Sequence, residues 1–343
     1  MEQTSVLKNK QLLIPRKFIS VLVISIILLG ISILASLAFG SRTVGWNEIL
    51  DGLFHPEVQS HGANVVRQRI ARTVFSLLCG AALGVSGALM QSVTRNPIAD
   101  PSILGVNTGA ALFVVCGISF FHIGTAGQYI WFALAGAILT AIFVFGIGSM
   151  GVAVPPLKLV LAGAATSAAL SSLVMAIMIP RSNVMDQFRF WQVGSVGAGN
   201  WDSISIFIPF LVVGILIALF SAPGLNALAL GDEAAKGLGV RTGTLRLVAA
   251  FGGVLLCGAA TALAGPIGFI GLLATHVIRL IIGPDLRYII PMSALAGAII
   301  LTISDVCGRI IGSPGELEVG VVTAFIGAPI LILITMKAKM RTL

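Results

Sequence analysis

Charge is what this chain has least of. Only 10% of its 343 residues are Asp, Glu, Lys or Arg, where a soluble domain carries about 25%. The water-facing surface of a large soluble core therefore cannot be assembled. Cysteine is scarce too, with four in the chain, at 79, 116, 257 and 307, too few and too scattered for a secreted disulfide scaffold. Of His55, His61, His122 and His276, no two stand at the i, i+4 spacing of helical metal ligands. No Gly-x-x-x-x-Gly-Lys-Ser/Thr occurs, so ATP phosphates find no cradle of that kind. The apolar stretches also lack central acids. Asp100, Asp305, Glu316 and Glu318 all fall at stretch ends, which disfavours a carrier driven by an intramembrane proton or sodium relay.

What is present in excess is apolar sequence, 57% of the residues with a mean hydropathy of +1.03. That excludes disorder and leaves an all-α polytopic membrane protein. Charge-free stretches cover 18–41, 73–94, 101–157, 159–180, 203–231, 247–278, 288–304 and 319–336. A transmembrane helix needs about 20 apolar residues, so 101–157 holds two spans, broken near His122 to Gln128. The stretch 247–278 is long for one span and short for two, but Gly265-Pro266 interrupts it where a helix would end. Ten spans result. The first has 24 uncharged residues, too long for a signal-peptide core of about 7–15, which predicts a retained helix.

Lysine and arginine set the orientation. Both termini are basic, so both are expected in the cytoplasm, as an even span number requires. Ten spans then put 14 basic residues inside and 7 outside. This asymmetry accounts for the net charge of +8 without nucleic acid as a partner.

Three local patterns bear on function. Gly84-Val85-Ser86-Gly87 matches the Gly-x-Ser-Gly of intramembrane serine proteases, with His276 as a conceivable base. Glycine in spans more commonly serves close helix packing, so that reading is the distant one. Arg67, Arg69, Arg72 and Arg309 stand on the outer side against the topological bias, either as solvated residues near lipid phosphate or as a docking surface for an acidic partner. In the inner loop, Asp232 and Glu233 begin a short helix, where acids suit the dipole, and Gly237 and Gly239 stop it. Such a helix is either an ordinary loop element or a mechanical contact for a second protein.

Several blocks together resemble the FecCD-type permease subunits of ABC importers for ferric siderophores, haem and cobalamin. Glu233-Ala234-Ala235 with Gly239 resembles the loop that touches the ATPase. Ser86 to Gln91 leads into Arg95-Asn96-Pro97-Ile98-Ala99-Asp100-Pro101 and Leu104-Gly105-Val106. Gly265-Pro266-Ile267-Gly268 follows with His276 and Arg279, then Gly320 to Ala324 with Gly327-Ala328-Pro329. Phe190-Trp191 with Gly194-Ser195 and Trp201 adds a further block. The stretch from Arg95 to Gly105 is nearer to the siderophore branch than to the cobalamin branch, where glutamate commonly stands at the Arg95 position.

The resemblance implies a ten-helix permease domain over 1–343, in the cobalamin-importer (type II) fold, within the cytoplasmic membrane of a bacterium. It implies a cytoplasmic segment at 1–17, a coupling loop at 222–244 with Asp232, Glu233, Ala234, Ala235 and Gly239 as its contacts, and a cytoplasmic tail at 337–343. Arg69, Arg72 and Arg309 would dock a siderophore-binding protein. Two ATPase subunits would bind the ATP, so the chain is itself no enzyme and carries no cofactor or metal. A second permease subunit, identical or related, would complete the pathway for the ferric siderophore. Three departures touch these blocks. The family's Arg-Leu-Pro-Arg is Arg69-Ile70-Ala71-Arg72, Thr275 replaces the proline before His276, and Glu318 stands where Glu-x-Pro-x-Gly has its proline.

Overall fold

The computed structural model describes residues 2–55, 57–58, 60–149 and 156–339. Met1 and the end of the tail, Arg341 included, lie outside the described residues. Among the described residues thirteen α-helices run in order: α1 (Glu2–Ala38), α2 (Trp46–Phe54), α3 (His61–Thr94), α4 (Val106–Phe121), α5 (Ala126–Ser149), α6 (Pro156–Met178) and α7 (Ser182–Val193). Then come α8 (Trp201–Ala229), α9 (Asp232–Gly237), α10 (Thr242–Ala264), α11 (Ile270–Ile282), α12 (Leu286–Ile311) and α13 (Val319–Lys339). A 3-10 turn, Pro101–Leu104, precedes α4. The described residues include no strand.

Among the described residues seven helices, α1, α3, α5, α6, α8, α10 and α12, are long and apolar enough to cross a membrane. Three shorter apolar helices, α4, α11 and the Val319–Leu333 part of α13, occupy the remaining predicted segments. The break at Gly265-Pro266 is present. α10 ends at Ala264, Gly265 takes a φ of +72°, and α11 begins five residues later.

Helix α3 is the spine. It packs most extensively on α12 and also touches α10, α11, α8, α2 and α1. Its small residues make this possible. A Cβ at Gly80 would run into the Gly297 carbonyl, one at Gly84 into the Ser293 carbonyl, and one at Gly87 into Gly271. Between apolar helices in lipid, such close backbone approach supplies the dispersion contacts that drive association.

Four boundaries differ from the sequence expectation. Within the segment 1–17, residues 2–17 are the first part of α1 rather than a separate element. The polar stretches 42–72 and 181–202 contain the helices α2 and α7, and α3 starts as far out as His61. At 34 residues, α3 is about 51 Å long at 1.5 Å per residue, against about 30 Å of hydrocarbon. Arg67, Arg69 and Arg72 therefore ride on a helix long enough to project beyond the hydrocarbon. Finally, α8 continues through Pro223 to Ala229, so the connection inside 222–244, α9 included, is confined to 230–241.

Candidate functional site

The chemistry-bearing residues gather at the two ends of the bundle. At the end that the charge pattern assigns to the cytoplasm, α9 hangs between two glycines in positive φ, Gly231 at +117° and Gly239 at +81°. Its register is fixed by Ala235, which is buried and accepts a backbone bond from Val240. Glu233, Ala234 and Lys236 are exposed, and so are the flanking Leu230 and Leu238. Two large apolar side chains beside a six-residue helix form a surface fit for a protein partner.

Arg95 closes α3 in left-handed geometry, φ 51°. Its guanidinium donates to the Leu228 carbonyl at 2.6 Å and pairs with Asp232. Arg246 reaches the same carboxylate at 2.8 Å. Beyond Arg95 the Asn96 side chain accepts from the Ile98 amide, and Asp100 caps the 3-10 turn by accepting from Ser102. Pro101 opens that turn, and Pro97 is exposed.

The other family positions do not join this cluster. Gly265 and Pro266 lie at the opposite end, where a Cβ at Gly265 would strike the Trp191 carbonyl and Ser195 donates to Ala264. The Trp191 indole donates to the Ala262 carbonyl. The Phe190 side chain lies outside the described residues. His276 and Arg279 stand on α11, with Arg279 in its last turn.

At the outer end the arginines are not the free surface groups expected. Arg69 is buried and donates to the carbonyls of Leu37, Ala38 and Arg42 at 2.8, 3.3 and 2.6 Å. It satisfies the last carbonyls of α1, which no intrahelical donor can reach. Arg309, 2% exposed, pairs with Asp305 at 3.1 Å and donates to the Ser36 carbonyl and hydroxyl. Arg72, 14% exposed, grips Asp305 with two nitrogens and reaches Glu316 at 2.7 Å. Neither a solvated loop nor an open docking row describes this arrangement. The arginines form the floor of a cleft of about 700 Å³, lined also by Arg67, Trp201 and Glu316. The acids that hold them lie 233 and 244 residues away. Only the Asp305/Arg309 pair, at i, i+4, is readable as a neighbour pair in sequence.

Ser86 is no nucleophile in this setting. Fully buried, its hydroxyl donates to the Gly253 carbonyl at 2.6 Å rather than to an imidazole. Gly84 and Gly87 beside it are helix-packing positions. The protease alternative is set aside on that geometry.

Comparison with known proteins gives the family. The FecCD transport family model matches residues 28–337. The chain belongs to this family. It is 40% identical over 315 residues to the ferric enterobactin transport system permease protein FepD of Escherichia coli, covering 91% of this chain and 93% of that one. Over 318 residues it is 37% identical to the probable siderophore transport system permease protein YfiZ of Bacillus subtilis, covering 92% and 96%. The Fe(3+)-citrate import permease YfmD of the same organism is 39% identical over 322 residues, 94% of this chain and 95% of that one. Among solved structures, a metal-chelate type ABC transporter in an inward-facing conformation superposes with a TM-score of 0.77 at 26% identity, covering 94% and 99%. PsaBC of Streptococcus pneumoniae shares the fold alone, with a TM-score of 0.59 at 14% identity over 84% and 94%. This FecCD chain is thus an ABC-transporter permease by family and fold.

Proposed function

We propose that this permease carries a ferric siderophore across the cytoplasmic membrane of a bacterium, driven by two separate ATPase subunits that contact α9. The observation that carries the substrate class is the 37–40% identity, over nine-tenths of both chains, to permeases named for siderophore, enterobactin and ferric citrate transport. The sequence has no phosphate-cradling loop of its own, consistent with hydrolysis on other chains. Glu233, Ala234, Ala235 and Gly239 shape the ATPase contact. A second permease subunit, identical or related, completes the pathway.

On the outer side an acidic binding protein delivers the substrate. Its docking contact is Arg72, a reading supported by the 41% exposure of the Glu316 partner. Arg69 and Arg309 shape the floor beneath it. A carboxylate entering the cleft can replace the exposed Glu316 on Arg72 while Asp305 stays in place.

The test is reconstitution with the ATPase and binding protein in proteoliposomes. Iron-loaded enterobactin, ferric citrate and a ferric hydroxamate are offered in turn, with haem and cobalamin as the competing class. Uptake of one iron chelate, with ligand-dependent ATP hydrolysis, is the expected result. Stimulation by haem or cobalamin alone would move the chain to that branch. Arg72→Glu should weaken docking more than Arg72→Ala, since reversal adds repulsion. An arginine placed at the facing acid of the binding protein should restore it.

A further inference from the structure

We propose that Asp232 is a positioning residue that locks the coupling helix to the end of α3, so that α9, α3 and the segment 95–104 move as one body. This rests on the reading of α9 as the ATPase contact. An acid at the start of α9 would be accounted for by the helix dipole alone. Yet the Asp232 carboxylate meets guanidiniums from two other helices, Arg95 at the end of α3 and Arg246 in α10. The same Arg95 donates to Leu228 in the last turn of α8. Four helices thus converge on one ion cluster.

The need for such a lock follows from the rest of α9. Six residues are far too few to hold a helix by backbone bonds alone. The glycines on both sides, Gly231 and Gly239, have no atom within 4 Å of where a Cβ would sit. Beyond its packing on the adjoining α8 and α10, the buried Ala235 and the Asp232 cluster are what restrain the helix from swinging on these two pivots. On the other side of the lock, Arg95 holds a left-handed backbone that a non-glycine residue adopts only at a cost. The Asn96 and Asp100 side-chain bonds then brace the chain down to the 3-10 turn. A displacement of α9 is therefore delivered both to the spine helix and to the Asn96–Pro101 segment.

The exposure of the pair makes the idea testable. Arg95 and Asp232 are 35% and 40% exposed, and ion pairs so open contribute little to stability. Replacing them should leave a folded protein and change only the transmission of movement. The assay is the number of iron chelates imported per ATP hydrolysed by the complete transporter in proteoliposomes, using whichever of enterobactin, citrate or hydroxamate complex is transported. Asp232→Asn and Arg95→Gln should each lower this ratio about fivefold or more, the smaller end of inter-site coupling. The double variant should be no worse than either single, and Arg95→Lys should recover part of the ratio. A spin-label pair at Ile98→Cys and Lys236→Cys should show a broader distance distribution when Asp232→Asn is added.

An unchanged ratio in both single variants, losses that multiply in the double, or an unchanged distance distribution would overturn the lock. Gly239→Asp in the same assay separates this from the underlying reading. If it uncouples while Asp232→Asn does not, only the lock fails. If Gly239→Asp changes neither the ratio nor ATPase co-purification, α9 is not the coupling element.

Discussion

Removing the Asp305 carboxylate is the sharpest perturbation the outer cluster offers. Asp305 is 3% exposed and holds two guanidiniums, Arg72 and the 2%-exposed Arg309. Breaking a buried pair by deleting one partner costs about 3–5 kcal/mol, because the remaining charge is left uncompensated. Here Arg309 keeps only the Ser36 carbonyl and hydroxyl, both neutral acceptors. Arg72 keeps Glu316, but a pair with a partner that open is worth only about 0–1 kcal/mol. Asp305→Ala should therefore destabilise by about 3 kcal/mol or more, and Glu316→Ala by less than about 1 kcal/mol. The assay is unfolding of the purified permease in detergent with increasing dodecyl sulfate, followed by helical circular dichroism. The double variant Asp305→Ala with Arg309→Met should recover much of the loss, since it removes the stranded charge along with its partner. Equal effects for Asp305→Ala and Glu316→Ala, or no recovery in the double, would refute the reasoning. They would mean that the cluster is solvated rather than structural.

The remaining predictions concern topology, coupling and the buried serine. With the native cysteines removed, single cysteines at His61 and Lys236, both exposed, should label from opposite sides of the membrane. Same-sided labelling would contradict the span count. Gly239→Asp should keep normal membrane levels but abolish iron-chelate uptake. The site has room for a side chain, yet its φ of +81° disfavours any residue with a Cβ by about 1 kcal/mol, and α9 would be re-aimed. Ser86→Ala should keep uptake and lose about 1 kcal/mol of stability, the worth of one buried hydrogen bond. Reaction of the native chain with a fluorophosphonate probe, lost in Ser86→Ala, would restore the protease reading.

The bundle was largely legible because membrane insertion writes itself into the sequence as missing charge. Among the described residues each charge-free stretch contains at least one helix, and Gly265-Pro266 marks a break that length alone left open. The helices α2 and α7 were hidden, because each is short and carries charged residues that read as loop. The outer turns of α3 were hidden for a related reason. Arg67, Arg69 and Arg72 occur at helical as well as loop spacing, and nothing local says that the partners of Arg69 and Arg72 lie at the end of α1 and on α12 and the turn after it. The coupling loop that the resemblance starts at 222 begins later, because α8 continues through Pro223 to Ala229. In a membrane helix, neighbouring elements can satisfy the carbonyl that a proline frees, and α8 runs on. The Arg95–Asp232 contact joins residues 137 apart, a separation at which the sequence of one chain carries no pairing signal.

The outer arginines pose a question that the structure answers electrostatically. Positive residues retained outside oppose the positive-inside bias, and three of them crowd into one cluster. Asp305 and Glu316 neutralise two of the three charges on Arg69, Arg72 and Arg309, so the assembled cluster has a net charge of only about one. The carbonyls of Leu37, Ala38, Arg42 and Ser36 stabilise what remains. Those carbonyls belong to the end of α1 and the turn after it, while the acids belong to α12 and the turn after that helix. The cluster can form only once the first and last thirds of the chain have met beside α3. The arginines are thus held outside by tertiary structure rather than by their own hydration. The same requirement leaves their surface small: one edge of Arg72, facing a cleft, with an exposed carboxylate as its most replaceable partner.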